Sequence, residues 1–376
     1  MKKYLVFYLG CFCLTISAQQ SNLKVGDSLY QLGNYSKAIS FYKQSNSARS
    51  LHKIAKTYNS IGNHDKSIAA YKQAIEKDSN LIIAQYELGK LFIKKKRNKE
   101  AQEVFERLYQ KDSLNPNYSY YLGFIEKDDS ISLGHFKRSF NLDTSHLKSI
   151  YRISRHFLVH EDRDSLFYYS NIGLEQDENY VDLINLQSQY LFNRGWHEEV
   201  LPLLKKLIDL GQKSETIRKR LAITYYQLDD FEKSLPLFLE LIKSNPNEAG
   251  YQTYVGNIYK RKKMPKEALP FYENALKIKN PSVKTEYLAL ARNYLDLNDE
   301  VKATQFMDKA FREKPYIMYE EFMLLRIIDN RFTDPNVKLN FFLKYKKRYP
   351  KANDRFMEWI KSRITEYKGQ IHAQKK

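Results

Sequence analysis

The sequence predicts an all-α fold, a solenoid of stacked helix–turn–helix units, because three residue patterns repeat with a common period. Small residues recur at intervals of 29 to 35 residues, at Ala38, Ser67, Ala101, Ser132, Ser165, Val200, Ser234, Ala268 and Ala303. An aromatic or large apolar residue follows four positions later, at Tyr42, Tyr71, Phe105, Phe136, Tyr169, Leu204, Phe238, Tyr272 and Met307. A further core candidate stands three positions beyond, at Ala74, Leu108, Ile172, Leu241, Ala275 and Ala310. Steps of four and three residues follow one face of an α-helix, and a unit of this length buries that face only by stacking on its neighbours.

Each unit is predicted to form helix A, a short turn and helix B. Four glycines share one position in helix A, where we expect the neighbouring helix to approach closely: Gly26, Gly89, Gly123 and Gly256. Three others mark the turn, where glycine adopts the left-handed conformation that ends a helix: Gly33, Gly62 and Gly195. Three prolines, spaced 34 residues apart, are expected near the start of helix B, whose first amides have no helical partner: Pro202, Pro236 and Pro270.

These residues together resemble the tetratricopeptide repeat family, in which glycine, an aromatic residue, a small residue and proline follow one another in this order. Two stretches fit best, with Gly89, Phe92, Ala101 and Phe105, and with Ala222, Tyr225, Ser234, Phe238 and Pro246. The resemblance covers residues 21–316, about nine repeats, and is degenerate at 116–180. It implies a right-handed superhelix whose concave wall is formed by the A helices and binds extended peptides or helices.

The family register implies a set of partner-binding positions on the A helices. They are His52, Lys56, Tyr86, Lys90, Tyr120, Phe124, Tyr151, Arg155, Lys219, Asn257, Lys260 and Arg292. Aromatic rings beside cations suit an extended, partly apolar and acidic partner protein or peptide. The alternative is that these rings are ordinary packing residues.

The first 18 residues are predicted to be a signal peptide. Lys2 and Lys3 precede an apolar run that ends in Ser17 and Ala18, so we expect cleavage after Ala18 and export to the periplasm or cell envelope. The leader ends in the sequence Ile-Ser-Ala-Gln-Gln, which resembles leaders of the Bacteroidetes. Both cysteines, Cys11 and Cys13, lie inside it. A lipoprotein acylated at Cys11 is the less favoured alternative, because the apolar run before it would be short.

Residues 317–376 are predicted to form a C-terminal helical cap and a basic tail. We expect helices over Glu320–Ile328, over Asn336–Tyr349 and from about Asn353, because the ends of a solenoid need atypical units that cover its core. The last helix combines an apolar face with basic residues. It would therefore also suit binding to a membrane surface.

The residues do not indicate an enzyme, a cofactor or a metal site. The sequence has no glycine-rich phosphate loop, no nucleophile elbow and no His-Glu-x-x-His motif. His156 and His160 could share one helix face, but no other ligand stands near them in the right position, so we interpret them as surface histidines. The formal net charge of +18 favours acidic partners, although genome composition alone could produce it. The export signal argues against nucleic acid as the partner.

Two functional interpretations follow. The first is a non-enzymatic protein–protein interaction scaffold of the cell envelope, which binds its partner on the concave A-helix face. The alternative is a protein that binds a glycan or another anionic polymer. In the first case the aromatic residues would form a continuous stripe along the groove, and in the second they would converge on one cavity.

Overall fold

A computed structural model of the protein describes residues 22–278, 283–313, 317–350 and 354–374. The predicted signal peptide therefore lies outside the described residues. Over these ranges the chain is built of α-helices and contains no β-strand. None of the described helices is long and apolar enough to cross a membrane.

Within the described residues, nine pairs of helices, here called hairpins, come first, with odd-numbered A helices and even-numbered B helices. The A helices are α1 (22–31), α3 (Ala48–Ser60), α5 (Ile82–Lys94), α7 (Pro116–Ile125), α9 (Leu147–Val159), α11 (Val181–Asn193), α13 (Glu215–Gln227), α15 (Ala249–Arg261) and α17 (Lys284–Asp296). The B helices are α2 (Tyr35–Lys43), α4 (His64–Lys77), α6 (Asn98–Lys111), α8 (Asp129–Leu142), α10 (Arg163–Gln176), α12 (His197–Asp209), α14 (Phe231–Ser244), α16 (Pro265–Lys277) and α18 (Glu300–Arg312). The chain divides into two compact units, of which the first ends at Tyr190 and the second begins at Leu191. Consecutive helices pack together from α2 to α10 and from α12 to α18, as expected for an α-solenoid.

The predicted small and large positions form the contact between the helices of a hairpin. Seven of the nine small residues are buried, and the exceptions, Ser132 and Ser165, lie in the stretch predicted to be degenerate. Eight of the nine large residues that follow are also buried, Tyr169 being half-buried. Where the small residue is serine, its hydroxyl can donate to a carbonyl of helix A, as Ser234 does to Ala222 at 2.8 Å. The helical periodicity is thus confirmed.

The fourth hairpin, within the stretch predicted to be degenerate, is shorter than the second and the seventh. Ser67 and Ser234 each bond a carbonyl 12 residues earlier, whereas Ser132 bonds the Gly123 carbonyl only nine residues earlier, at 2.7 Å. Helix α7 has ten residues where α5 has 13, and α8 begins directly after Asp128, whose carboxylate accepts hydrogen bonds from the Ser130 and Ile131 amides. This shortening brings the start of α8 close to α9.

The in-register prolines lie deeper in the B helices than predicted. Pro202, Pro236 and Pro270 are each the sixth residue of their helix, in the second turn rather than the first. At this depth an amide normally bonds the carbonyl four residues earlier, so each proline removes one internal hydrogen bond. The expectation that they occupy amide positions without helical partners is therefore wrong.

Three further helices follow the hairpins: α19 (Met318–Arg331), α20 (Pro335–Arg348) and α21 (Asp354–Gln374). Helix α21 packs on α20 and places Ile360, Ile364 and Tyr367 in one core with Leu325 and Phe342. Its apolar face is thus covered by protein. Side chains that a membrane-surface helix would insert into the lipid, such as Ile360 and Ile364, are buried in this core.

Candidate partner-binding site

The twelve predicted binding residues all lie on A helices. The first unit holds His52 and Lys56 on α3, Tyr86 and Lys90 on α5, Tyr120 and Phe124 on α7, and Tyr151 and Arg155 on α9. The second unit holds Lys219 on α13, Asn257 and Lys260 on α15, and Arg292 on α17. Their exposure and partners divide them into packing residues and residues available to a ligand.

Tyr120 is a packing residue, which corrects its prediction as a binding residue. Its side chain is 7% exposed, and its ring lies 5.7 Å from that of Phe136 and 5.4 Å from that of His146. Helix α7 has only ten residues, and this position faces α8 rather than solvent. Tyr86 is half-buried between the rings of Phe105 and Tyr121. Of the predicted aromatic stripe, Tyr86 and Tyr120 therefore pack against other residues of the first unit.

His52, Lys56 and Lys90 already have neighbours from their own unit. The His52 ring packs 5.8 Å from that of Tyr71, and burial lowers the pKa of this imidazole, which favours its neutral form. Lys56 is exposed, with Nζ 5.4 Å from the centre of the Tyr30 ring. Lys90 Nζ lies 3.1 Å from Glu87 Oε1. Of the three, only Lys56 offers an exposed charge.

Phe124 and Arg155 line a cavity of about 320 Å³ in the first unit. Phe124 is 40% exposed, and the guanidinium of Arg152 lies 4.5 Å from the centre of its ring. Arg152 lines the same cavity, but the register assigned the neighbouring Tyr151 instead, which is half-buried. Arg152 was missed because a position one residue away on a helix is displaced by about 100° around its axis.

Three predicted residues meet in the second unit. Asn257, Lys260 and Arg292 line one cavity of about 420 Å³ where α15 approaches α17. Thr253 and Thr285 add hydroxyl groups to the wall, and Arg261 adds a further cation. We call this cavity the α15–α17 pocket. It is the place where the structure brings the predicted binding residues together most clearly.

The charges of the α15–α17 pocket are unequally neutralised. Lys260 Nζ lies 3.2 Å from Asp296 Oδ2, and the same carboxylate also pairs with Arg331. Burial lowers the pKa of Lys260. Arg261 is paired with Asp229 at 2.7 Å. Arg292 is exposed and forms no ion pair with any residue that the structure describes. Its guanidinium is therefore the group most available to an acidic ligand.

The remaining predicted residues contribute differently. Asn257 Oδ1 accepts a hydrogen bond from the Tyr272 hydroxyl at 2.8 Å, so half of this amide serves the fold. Lys219 is exposed on α13, outside the pocket, with Nζ 5.7 Å from the centre of the Tyr251 ring.

The interpretation of His156 as a surface histidine is wrong for this structure, whereas His160 is exposed as predicted, and both lie near a third candidate ligand. The His156 side chain is only 16% exposed, and the carboxylate of Asp129 approaches both rings. Asp129 stands 27 residues before His156, at the start of α8 in the shortened hairpin, so no local spacing in the sequence indicates the contact.

The stacked two-helix units define an α-solenoid. The family model described as "TPR repeat" matches residues 55–96. Two models described as "Tetratricopeptide repeat" match residues 219–283, and residues 19–47 and 83–110. The chain therefore contains tetratricopeptide repeats in both of its compact units.

Solved structures resemble the chain at low identity. A tetratricopeptide repeat protein from Parabacteroides merdae shares 15% identity over 66% of this chain and 99% of its own, with a TM-score of 0.41. Yeast Tom70 shares 13% identity over 96% of this chain and 97% of its own, with a TM-score of 0.38. MamA from Desulfovibrio magneticus shares 15% identity over 43% of this chain and 97% of its own, with a TM-score of 0.39. The comparison with curated proteins gave no match.

Proposed function

We propose that this protein is a non-enzymatic scaffold of the cell envelope that binds an acidic, extended segment of a partner protein on its A helices. Tetratricopeptide repeats are protein-binding modules, and the repeats match over both units. The placement in the envelope rests on the leader at residues 1–18, with Lys2, Lys3 and the small residues at Ser17 and Ala18.

The α15–α17 pocket is the observation that carries the proposal. Arg292 presents a planar guanidinium whose donors match a carboxylate in pairs, which gives both strength and direction. Thr253, Thr285 and the amide of Asn257 surround it with hydrogen-bonding groups. Lys260 is held beside it by Asp296, so its positive charge stays in place while the ion pair offsets part of it. Such a pocket favours an anionic side chain.

The first unit offers a second surface of related chemistry. Exposed Phe124 beneath the Arg152 guanidinium provides apolar contact area next to a cation, and Arg155 is exposed beside them. An acidic partner segment that also carries apolar residues would satisfy both kinds of group.

A binding measurement with a charge-matched control tests the proposal. The probe is a fluorescein-labelled, extended peptide rich in Glu, Asp and Leu, measured by fluorescence anisotropy at physiological salt. We expect Arg292→Glu to weaken binding by about tenfold or more, equivalent to about 1.4 kcal/mol. Arg326→Glu makes the same change of charge on an exposed residue of α19 in the same unit, and we expect less than about a threefold effect. Equal losses in the two variants would mean that only net charge matters and would refute the pocket.

A further inference from the structure

Three side chains from neighbouring helices converge in the hairpin of the shortened helix α7 and the helix that follows it, α9. Asp129 lies at the start of α8, and His156 and His160 lie at the end of α9. Asp129 Oδ2 is 3.0 Å from His156 Nδ1 and 3.5 Å from His160 Nε2, and one ligand atom from each residue lies within 4.8 Å of the others. The two imidazole rings stack with centres 4.1 Å apart.

The hydrogen bond on the far side of His160 fixes which nitrogen faces the cluster. His160 Nδ1 lies 2.9 Å from the backbone carbonyl of His156. A carbonyl can only accept, so Nδ1 carries the hydrogen, and in the neutral ring Nε2 has a free lone pair. That lone pair faces the carboxylate of Asp129. Two acceptors so placed repel each other unless a positive species lies between them. A carbonyl bond on the remote nitrogen is also how proteins orient metal-binding histidines.

His156 provides the second, independent observation. Its Nδ1 is buried and forms no hydrogen bond of acceptable geometry with any residue that the structure describes, although Asp129 Oδ2 is only 3.0 Å away. A buried nitrogen without a partner is unfavourable, because it has lost its bond to water without a replacement. A cation placed among the three residues would satisfy it.

We propose that Asp129, His156 and His160 bind a divalent transition-metal ion of the Zn²⁺ class. Imidazole nitrogens and a carboxylate oxygen are the ligands such ions take in proteins. Ligand atoms each about 2.1 Å from zinc at tetrahedral angles lie about 3.4 Å apart, which is close to the separations from Asp129 observed here. The set has three protein ligands, so at least one coordination position remains.

The surroundings indicate what fills the remaining position. The three residues line the 320 Å³ cavity together with Arg152 and Arg155. The two guanidinium groups oppose the charge of a metal ion, and they favour an anionic additional ligand such as a chloride ion or a carboxylate. The metal site thus adds an anion-binding element to the first unit, independently of the α15–α17 pocket.

Titration of the purified chain with ZnCl₂ after treatment with EDTA tests the proposal. By isothermal titration calorimetry we expect one high-affinity ion per chain, with a dissociation constant of about 10 μM or tighter. His160→Ala and Asp129→Asn alter exposed groups and should each weaken binding at least about tenfold, as should His156→Ala. Circular dichroism of each variant without metal checks that the fold is kept.

A matched histidine and a second readout complete the experiment. His135→Ala removes a histidine of α8 that lines a different cavity, and we expect its zinc affinity to stay within about twofold of the unaltered chain. The absorption bands of bound Co²⁺ should appear with the unaltered chain and be lost in His160→Ala. Absence of zinc binding, or zinc affinity that is equal in the three cluster variants and the unaltered chain, would overturn the proposal.

Discussion

The ring of Tyr272 lies directly against the backbone of Gly256, so closely that a Cβ on this glycine would be 2.5 Å from Cε1 of the ring. Phe105 approaches Gly89 in the same way, with the corresponding distance 2.7 Å. The large residue of helix B thus fits into the space that glycine leaves in helix A. This contact sets how closely the two helices of a hairpin approach.

Gly256→Ala should therefore destabilise the second unit even though alanine is the better helix former. The added methyl group forces Tyr272 or the backbone to move, which costs about 1–3 kcal/mol. Over most of this range the cost exceeds the gain in helix propensity, which is about 1 kcal/mol. Gly369→Ala is the control, since a Cβ there meets nothing within 4 Å on an exposed part of α21. Chemical denaturation should show lower stability for the first variant and equal or higher stability for the second. The opposite order would contradict the close contact.

We expect the protein to become more stable when a proline inside a B helix is replaced by alanine. Pro236→Ala restores an amide that can bond the carbonyl of Glu232, four residues earlier, and we expect the free energy of unfolding to rise by up to about 3 kcal/mol. Pro265→Ala is the control, because Pro265 is the first residue of α16 in the same unit, where no helical partner exists for its amide. Thermal unfolding followed by circular dichroism compares the two. A loss of stability in Pro236→Ala would show that the proline has a packing role that outweighs the missing bond.

Because Glu286 is buried, we expect the stability of the folded chain to depend on pH. This carboxyl group is 4% exposed on α17, and burial raises its pKa. Folding therefore favours the protonated form. The resulting stabilisation is complete below the ordinary glutamate pKa of about 4.3 and is lost as the pH rises through the raised value. Glu286→Gln stays neutral, so it should be more stable than the unaltered chain at pH 7 and equally stable at low pH.

Denaturant titrations at pH 7 and at pH 4 measure this difference. Glu240→Gln removes an exposed carboxyl of α14 in the same unit and should change stability little at either pH. An advantage of Glu286→Gln that is the same at both pH values would mean that ionisation of Glu286 is not its cause.

The C-terminal cap predicts a large effect of core truncation in α21. Ile360 is completely buried within the core that α21 shares with α20, so Ile360→Ala should cost about 2–5 kcal/mol. Because the apolar face is already covered, the unaltered chain should not sediment with vesicles of phosphatidylcholine and phosphatidylserine at physiological salt. Sedimentation with these vesicles would support the membrane-surface interpretation instead.

The repeating core could be predicted from the sequence because its signals are local. A small residue and a ring four positions later, such as Ala268 and Tyr272, lie on one helix face, and their spacing alone indicates burial. The depth of Pro236 was misjudged by one turn, since helix starts depend on caps such as Asp230 that periodicity does not reveal. These errors concern where elements begin rather than which elements exist.

The candidate sites could be predicted only where they follow the repeat. Asn257, Lys260 and Arg292 were found because the family register aligns equivalent positions of successive A helices. Tyr120 is misassigned because this position packs against the large residue of helix B, Phe136, as the equivalent Tyr86 packs against Phe105. The shortening of the fourth hairpin brings Asp129 to the histidines of α9, a contact between residues 27 and 31 positions apart that no helical period encodes. The contacts of the shortened fourth hairpin do not follow the repeat register, and the prediction relies on that register.

Site-specific photocrosslinking in the native cell envelope tests the central claim most directly. A photoreactive amino acid is placed at Lys56, Arg155, Lys219 or Arg292 on the A helices, and at exposed Lys43 or Lys205 on the B helices of the same two units. We predict that one partner protein is captured from the A-helix positions, within a segment rich in Asp and Glu, and not from the B-helix positions. Equal capture from both sets, or capture from the B helices alone, would contradict the assignment of partner binding to the A-helix face.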